Sequence, residues 1–173
     1  MHKTIVSLAL GLLFATGLHA LENDAPLVVE LSDPKVRITI PGMAGIEMGV
    51  HPKNKETPVF RLSGTAGETR VSIVTPTIDK PVSPMTCADA TARIIVAQTP
   101  ASRDQLFLGR ADDQTFLIIY GLPWERSVLL NTHIVSAVDT TQCIEAHISK
   151  ISTSDSDIVP WFNGFGDSKI EAF

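Results

Sequence analysis

The sequence predicts an α+β domain: a mainly antiparallel β-sheet of about six to eight strands, two α-helices packed on it, and one disulfide. Three observations support this prediction. Residues 127–151 form two strand-like runs around a short polar turn, which is the pattern of a long β-hairpin. Short strand-like segments precede this hairpin. Two stretches with helical spacing of apolar residues, 86–98 and 154–165, interrupt and close the series.

The N-terminus has the pattern of a secretory signal peptide. Lys3 provides a basic start, an apolar run follows over residues 5–17, and Ala20 offers a small side chain for cleavage. We therefore predict a signal peptide over residues 1–20. The apolar run is too short to span a bilayer, although an uncleaved membrane anchor is the alternative. Residues 21–173 would then be a single exported domain, secreted or, in a Gram-negative bacterium, periplasmic.

The charge of the chain is acidic. The formal net charge is -5, and it becomes -6 without the predicted leader, which contains one lysine and no acidic residue. Because phosphate binding needs a basic surface, this charge argues against nucleic acid as a partner. No second apolar stretch is long enough to cross a membrane, so we expect no membrane span in the mature protein.

Two cysteines, Cys87 and Cys143, lie in the predicted exported domain. In an oxidising compartment a pair this far apart is expected to form a structural disulfide, which would close a loop of about 57 residues. The spacing fits neither a CxxC redox motif nor a zinc knuckle. The alternative, a reactive thiol, requires an activating neighbour that the sequence does not identify.

The first half of the domain predicts an antiparallel meander. Residues 35–40 alternate apolar and polar side chains, which indicates one buried and one wet face. Similar short segments follow at 46–50, at 60–62 and, after a turn at 64–67, at 70–75. Residues 27–29 have the composition of a short edge strand, and several prolines end the meander.

The first predicted helix covers residues 86–98. Thr86 and Asp89 have the spacing of a capping box at its start. Its predicted buried stripe consists of Cys87, Ala90, Ile94 and Ala97, flanked by Thr91 and Ile95. The helix would lie on the sheet, where the disulfide would join it to the strand that begins at Cys143.

The second half predicts a further hairpin and a closing helix. The hairpin joins residues 106–110 to 115–122 around Asp112 and Asp113, and its second strand is apolar enough to be covered on both faces. The closing helix covers residues 154–165. Its cap would be Ser154 or Ser156, and its apolar stripe Ile158, Trp161, Phe162 and Phe165.

This order of elements, together with a first strand that ends in Ile40-Pro41-Gly42, resembles the Mog1/PsbP-like α/β/α sandwich. The resemblance covers most of the predicted mature chain. It implies a role in binding or assembly, since proteins of this fold are mostly non-catalytic. No functional motif of that family matches here, so no functional residue is carried over.

The predicted hairpin brings two histidines together. If its turn is centred on residues 140 and 141, His133 lies opposite His147, and Glu145 points to the same face. Two imidazoles and a carboxylate are a sufficient ligand set for zinc or copper. The alternative is a polar, hydrogen-bonded sheet face. A slip of one residue in register would place the two histidines on opposite faces.

Trp124, Glu125 and Arg126 form the connection before this hairpin. A tryptophan beside an arginine on such a connection is typical of an anchor at a protein interface. The alternative is that Trp124 folds back to cap the end of the sheet.

The sequence contains no GxSxG, HExxH, CxxC, phosphate-loop or dinucleotide motif, so no catalytic residue is assigned. We predict an exported, non-catalytic protein without a cofactor that binds a macromolecular partner in the cell envelope, one version being an immunity or inhibitor protein. One alternative is a carrier of a small ligand, zinc or copper that uses His133, Glu145 and His147. Another is a hydrolase with an active site dispersed over several strands.

Overall fold

The structure is a computed structural model that describes residues 25–55, 59–78 and 82–173. Within these residues it contains ten strands in two antiparallel sheets, two α-helices and one disulfide, so the predicted α+β class is confirmed. The predicted signal peptide lies outside the described residues. In chain order the elements are β1 (Leu27–Ser32), β2 (Lys35–Ile40), β3 (Gly49–Val50), β4 (Phe60–Ala66), β5 (Thr69–Val74), α1 (Pro84–Gln98), β6 (Phe107–Arg110), β7 (Phe116–Trp124), β8 (Ser127–Ala137), β9 (Cys143–Ser152), α2 (Ile158–Asn163) and β10 (Lys169–Ala172).

The elements form three layers around a large sheet. This sheet has the strand order β3-β4-β5-β9-β8-β7-β6, and the predicted hairpin β8–β9 lies near its centre. A small sheet of order β1-β2-β10 packs on one face together with α2, in a core rich in isoleucine, valine and leucine. Helix α1 packs on the other face. The separate small sheet and its last strand were not predicted from the sequence.

Alternation along the strands explains how the large sheet serves both cores. In β9, Ile144 and Ile148 are fully buried in the core shared with the small sheet, whereas Cys143 and Glu145 lie on the α1 side. All residues from Phe116 to Tyr120 in β7 are buried, so the prediction of a strand covered on both faces is confirmed.

Helix α1 begins earlier than predicted and presents a different face to the sheet. Its N-cap is Ser83, which forms a reciprocal capping box with Thr86, and Pro84 occupies the first turn. The predicted box between Thr86 and Asp89 is therefore wrong. Ile94 is 52% exposed and Ala97 is exposed, so the predicted stripe is wrong at these positions, whereas Cys87 and the flanking Thr91 and Ile95 are buried as predicted. The buried residues are Cys87, Ala88, Thr91, Ala92 and Ile95. Their small side chains permit close packing of the helix on the sheet.

The predicted disulfide is confirmed. Cys87 and Cys143 are bonded, with an S–S distance of 2.01 Å and Cα atoms 5.7 Å apart. The bond joins the first turn of α1 to the first residue of β9. A disulfide is compatible with an extracellular or periplasmic location. Among the described residues, no helix has the length and apolar character needed to cross a membrane.

The meander differs from its prediction in three places. Its predicted first strand, 35–40, is β2, which pairs with β1 and β10 in the small sheet and not with β3. Of the predicted strand 46–50, only Gly49 and Val50 pair with β4. Ile46 is buried in the core and forms no strand pairing with β4. The predicted turn at 64–67 begins too early, since β4 continues to Ala66 and the turn occupies Gly67 and Glu68. A Cβ atom at Gly64 would lie 2.5 Å from the carbonyl oxygen of Glu47, so glycine here permits a close approach of the backbone.

The closing helix is shorter than predicted. A 3₁₀ turn at Asp155–Asp157, capped by Ser154, precedes the six residues of α2. Trp161 and Phe165 are buried as predicted, and Phe162 is partly buried. The chain then pairs with β2 as β10, which completes the small sheet.

Candidate functional site

Polar side chains form two adjacent rows across the large sheet, on the face that carries α1. The register places Ile118, His133, His147, Ser72 and Ser63 in one row from β7 to β4. The next row consists of Tyr120, Asn131, Ser149, Arg70 and Thr65. Because α1 contacts β7, β8 and β9, it covers one end of these rows, and the other end on β5 and β4 is open.

The predicted pairing of the two histidines is confirmed. His133 and His147 are directly opposite each other in register, and their rings stack with centroids 4.3 Å apart at an interplanar angle of 10°. His133 Nδ1 lies 2.8 Å from a carboxylate oxygen of Glu145. His147 Nε2 lies 3.1 Å from the side-chain oxygen of Asn131. Since an amide oxygen only accepts, the His147 ring donates through Nε2.

Glu145 connects the histidines to the helix. Its second carboxylate oxygen accepts a hydrogen bond of 3.2 Å from the hydroxyl of Thr91 on α1. Burial alone would raise the pKa of Glu145, but the charge and hydrogen bond of His133, with smaller contributions from His147 and Thr91, outweigh it. The net effect lowers the pKa of Glu145, so this carboxyl group is ionised although its side chain is only 15% exposed.

Burial also changes the titration of two neighbours. Desolvation, reinforced by repulsion from His133, lowers the pKa of His147 to about 3, so this ring is neutral at neutral pH. Desolvation and the negative charge of Glu145 raise the pKa of Tyr120 to about 12. The Tyr120 hydroxyl lies 3.3 Å from Nε2 of His133. The cluster thus contains an ionised carboxylate beside a neutral imidazole and a neutral phenol.

The nitrogen atoms of the two histidines are directed at different partners. His133 contacts Glu145 and Tyr120, and His147 contacts Asn131. Within the described ranges, no group of three or more acidic, histidine or cysteine side chains is arranged to hold a metal ion. The hydrogen bonds found there join neither imidazole to a serine, threonine or cysteine. Zinc or copper binding at His133, Glu145 and His147 therefore stays an untested hypothesis, and the observed contacts are those of the predicted alternative, a hydrogen-bonded face.

An open groove of about 830 Å³ begins where the helix no longer covers the rows. Ser63, Thr65, Arg70 and Ser72 line its floor, and residues around Lys53 line its wall. Ser72 is directly opposite His147 in register, so the groove adjoins the buried cluster. Its lining also includes the carboxylate of Glu47 and the ring of Phe60, so a ligand there would meet two cations, one acid, several hydroxyls and an aromatic surface.

The turn between β7 and β8 is exposed. Trp124 is 52% exposed, and Glu125 and Arg126 are exposed as well. The Ser127 hydroxyl donates a hydrogen bond of 2.6 Å to the carbonyl oxygen of Trp124, and Glu125 has a positive φ of 52°. The tip is therefore held in a defined turn with its indole available to a partner.

Apolar residues continue from Trp124 along the same face. Leu122 pairs with Leu129, and Leu129 pairs with Ile151, so these side chains form a row beyond the end of α1. Ile151 is 36% exposed, and the two leucines are partly buried. We call this surface, Leu122, Trp124, Leu129 and Ile151, the hairpin patch.

Two members of the buried cluster, Thr91 and Tyr120, were not placed beside the histidines from the sequence. Asn131 could be placed beside His133 from the hairpin register, but its bond to His147 depends on rotamers. Tyr120 lies on β7, whose register with β8 is set by the short turn at Glu125 and Arg126, but that segment was interpreted only as a connection. Thr91 lies on α1, whose position over β8 has no local signal in the chain.

No protein-family model matches the chain, and no curated protein matches it. The resemblance to the Mog1/PsbP-like family therefore stays a prediction that rests on the order of elements.

Proposed function

We propose that this protein is exported after cleavage of its signal peptide and acts, without catalysis, by binding a protein partner in the cell envelope. The observation that carries the proposal is the half-exposed Trp124, held on a defined turn at the end of the hairpin patch. Tryptophan and arginine are the side chains most enriched among residues that dominate binding energy. Arg126, one position beyond Glu125, supplies the charged rim of such an interface.

The architecture suits a rigid binding surface. The patch lies on the two strands of the central hairpin and on the preceding strand, and the disulfide ties α1 to the same hairpin. A surface that is already ordered loses little conformational entropy on binding. One specific version of the proposal is an immunity or inhibitor protein, which would block a toxin or hydrolase delivered to the same compartment.

The experiment is affinity capture from envelope extract of the natural source with wild-type protein and two variants. Trp124→Ala removes the proposed anchor. Phe173→Ala is the matched control, because Phe173 is an aromatic residue of similar exposure, 58%, next to the small sheet on the opposite layer. We expect one partner to be retained by wild type and the control. Affinity for that partner should fall by at least about tenfold in Trp124→Ala. Equal retention by all three proteins, or no specific retention, would overturn the proposal.

A second candidate function is the binding of a small polar ligand in the groove beside His147. The observation that favours it is the continuous row from His133 through His147 to Ser72, with Arg70 beside it on the groove floor. Native mass spectrometry of protein isolated from its own compartment tests this function. A small molecule bound to wild type and absent from Arg70→Ala would support it, and a bare wild-type mass would count against it. Titration of zinc or copper into the protein and into His133→Ala tests the metal version.

A further inference from the structure

A second surface, separate from the hairpin patch, lies at the opposite edge of the large sheet from β3. Strand β6 ends the sheet on this side, and a groove of about 520 Å³ runs between β6 and the first half of α1. Met85 and Ala88 of α1 line one side, and Leu108, Gly109 and Phe116 line the other. Met85 is 58% exposed and Leu108 is 47% exposed, so two large apolar side chains flank the groove in contact with water.

The outer edge of β6 carries free backbone groups whose positions follow from the register. The amide of Ala111 donates to the carbonyl of Thr115, which makes this pair a hydrogen-bonded one. In an antiparallel ladder, hydrogen-bonded and non-hydrogen-bonded pairs alternate. Gly109 therefore bonds to β7, whereas the N–H and C=O groups of Leu108 and Arg110 point away from β7. Within the described residues, no strand pairs with this edge.

The residues that line the groove include two arginines and one acidic residue. Arg103 and Arg110 lie on its rim, and the one acidic lining residue, Asp89, is paired with Arg103 at 2.8 Å and with Arg93. Arg110 contacts Asp113 at 3.3 Å, but the Asp113 side chain is 97% exposed, so the guanidinium is readily available to another carboxylate. Because Asp89 is already paired with two arginines, the lining charge that a ligand can reach is Arg110, and its guanidinium favours a carboxylate.

From these observations we propose that the β6 edge binds an extended, acidic segment of a partner protein by strand addition. The segment pairs with the outward backbone groups of Leu108 and Arg110. One of its large apolar side chains enters the groove between Leu108 and Met85, and one of its carboxylates contacts Arg110. This arrangement combines backbone hydrogen bonds, which provide affinity, with a side-chain groove and a charge, which provide selectivity. Binding at the β6 edge is independent of the proposal for Trp124. Strand β6 pairs with β7 only as far as Ile119, and Trp124 lies further along β7.

The test uses a displayed library of random linear peptides, selected on the full mature chain. We expect enriched peptides to combine a large apolar residue with aspartate or glutamate. Leu108→Pro is the first variant: it removes an outward N–H and no bond to β7, so an edge strand tolerates it. Arg110→Glu is the second variant and reverses the rim charge. Each variant should lower the affinity for the enriched peptides by about tenfold or more. The Trp124→Ala variant should bind them as tightly as wild type does.

Amide hydrogen exchange supplies a readout that does not depend on any variant. In the free protein the amides of Leu108 and Arg110 should exchange rapidly while that of Gly109 is protected, and a saturating enriched peptide should slow the first two. Failure of the library to yield a binder, binding unchanged by Arg110→Glu, or exchange effects confined to other strands would overturn the proposal. So would a stable dimer whose interface protects the same amides, because a second copy would then occupy the edge.

Discussion

The imidazole rings of His133 and His147 stack on adjacent central strands, 4.3 Å apart and nearly parallel. His133 is connected through Glu145 to Thr91 of helix α1. His147 is opposite Ser72, which lines the open groove. The stack therefore connects the covered and uncovered parts of one sheet face. We therefore expect the protonation and the contacts of these two histidines to affect the stability of the fold in acid and after substitution.

The pKa of His147 predicts that acid destabilises the fold. In the unfolded chain a histidine has a pKa of about 6.5, and burial lowers the pKa of His147 in the folded protein to about 3. Between these values the unfolded chain binds a proton that the folded protein does not. The free energy of unfolding should therefore decrease as pH falls through this window, by up to about 1.4 kcal/mol per pH unit. Glu145, whose folded pKa is also lowered, adds a loss of the same sign at lower pH.

Urea unfolding at several pH values between neutral and about 4.5 measures this effect. His147→Gln should flatten the dependence, because it removes the group whose proton uptake differs between the two states. His51→Gln is the control, since His51 stacks on Phe60 in the loop before β4 and lies outside the cluster. Identical slopes for wild type and His147→Gln would show that His147 is not the responsible group.

Loss of the Glu145 carboxylate should be among the costliest substitutions in this cluster. Glu145→Ala leaves His133 and Thr91 without their acceptor in a mostly buried position, and each buried polar group left unsatisfied costs about 1 to 3 kcal/mol. Glu145→Gln keeps an acceptor oxygen and should cost less. The exposed ion pair of Glu30 with Arg37 is the control, because Glu30→Ala should cost less than about 1 kcal/mol. Equal losses of unfolding free energy at Glu145 and Glu30 would contradict the buried contacts.

Tyr120 offers a spectroscopic test because it is the only tyrosine in the sequence. Absorbance of the phenolate should appear with a pKa of about 12, against about 10 for an exposed tyrosine. Burial is the main cause and Glu145 the second, so Glu145→Gln should lower the value only in part. Circular dichroism on the same samples separates titration from alkaline unfolding. Phenolate formation near pH 10 in the folded protein would show that Tyr120 is accessible.

The disulfide should contribute a large share of the stability. It closes a loop with a sequence separation of 56, for which loss of chain entropy in the unfolded state corresponds to about 4 kcal/mol. The Cys87→Ala, Cys143→Ala double variant should lose stability of this order in urea unfolding without reduction. Mass spectrometry after thiol labelling provides the direct check, since the unreduced protein should contain no reactive thiol. Two labelled cysteines in folded protein would contradict both the bond and the proposed compartment.

The features that depend on local order in the chain could be predicted, and those that depend on packing between layers could not. The register of His133 with His147 followed from the turn between β8 and β9, because a short hairpin turn determines which residues are opposite. Assignment of β1, β2 and β10 to a second sheet had no such signal, since both sheets use the same alternation of apolar residues. Tyr120 could have been placed beside His133 in the same way as His147, because only Glu125 and Arg126 separate the paired residues Trp124 and Ser127, but that connection was not interpreted as a hairpin turn.

The orientation of α1 about its own axis is the clearest error of the sequence-based prediction. It also provides a matched test, because Ile94 and Ile95 are identical residues at neighbouring positions. Helical spacing counted from Cys87 favoured Ile94 as a buried residue, but the structure leaves Ile94 52% exposed and Ile95 4% exposed. The disulfide at Cys87 and the hydrogen bond between Thr91 and Glu145 explain the difference. Both hold the side of the helix that carries Cys87, Thr91 and Ile95 against the sheet. Ile95→Ala should therefore cost about 2 to 4 kcal/mol of unfolding free energy.

Ile94→Ala should cost only about 0.5 kcal/mol, since alanine favours the helix and little buried surface is lost. The two substitutions change the same side chain at neighbouring positions of one helix, so differences in helix propensity cancel between them. Urea unfolding of both variants under the same conditions isolates burial as the cause. A larger loss at Ile94 than at Ile95 would mean that the helix packs as its sequence spacing suggests, with Thr91 turned away from Glu145.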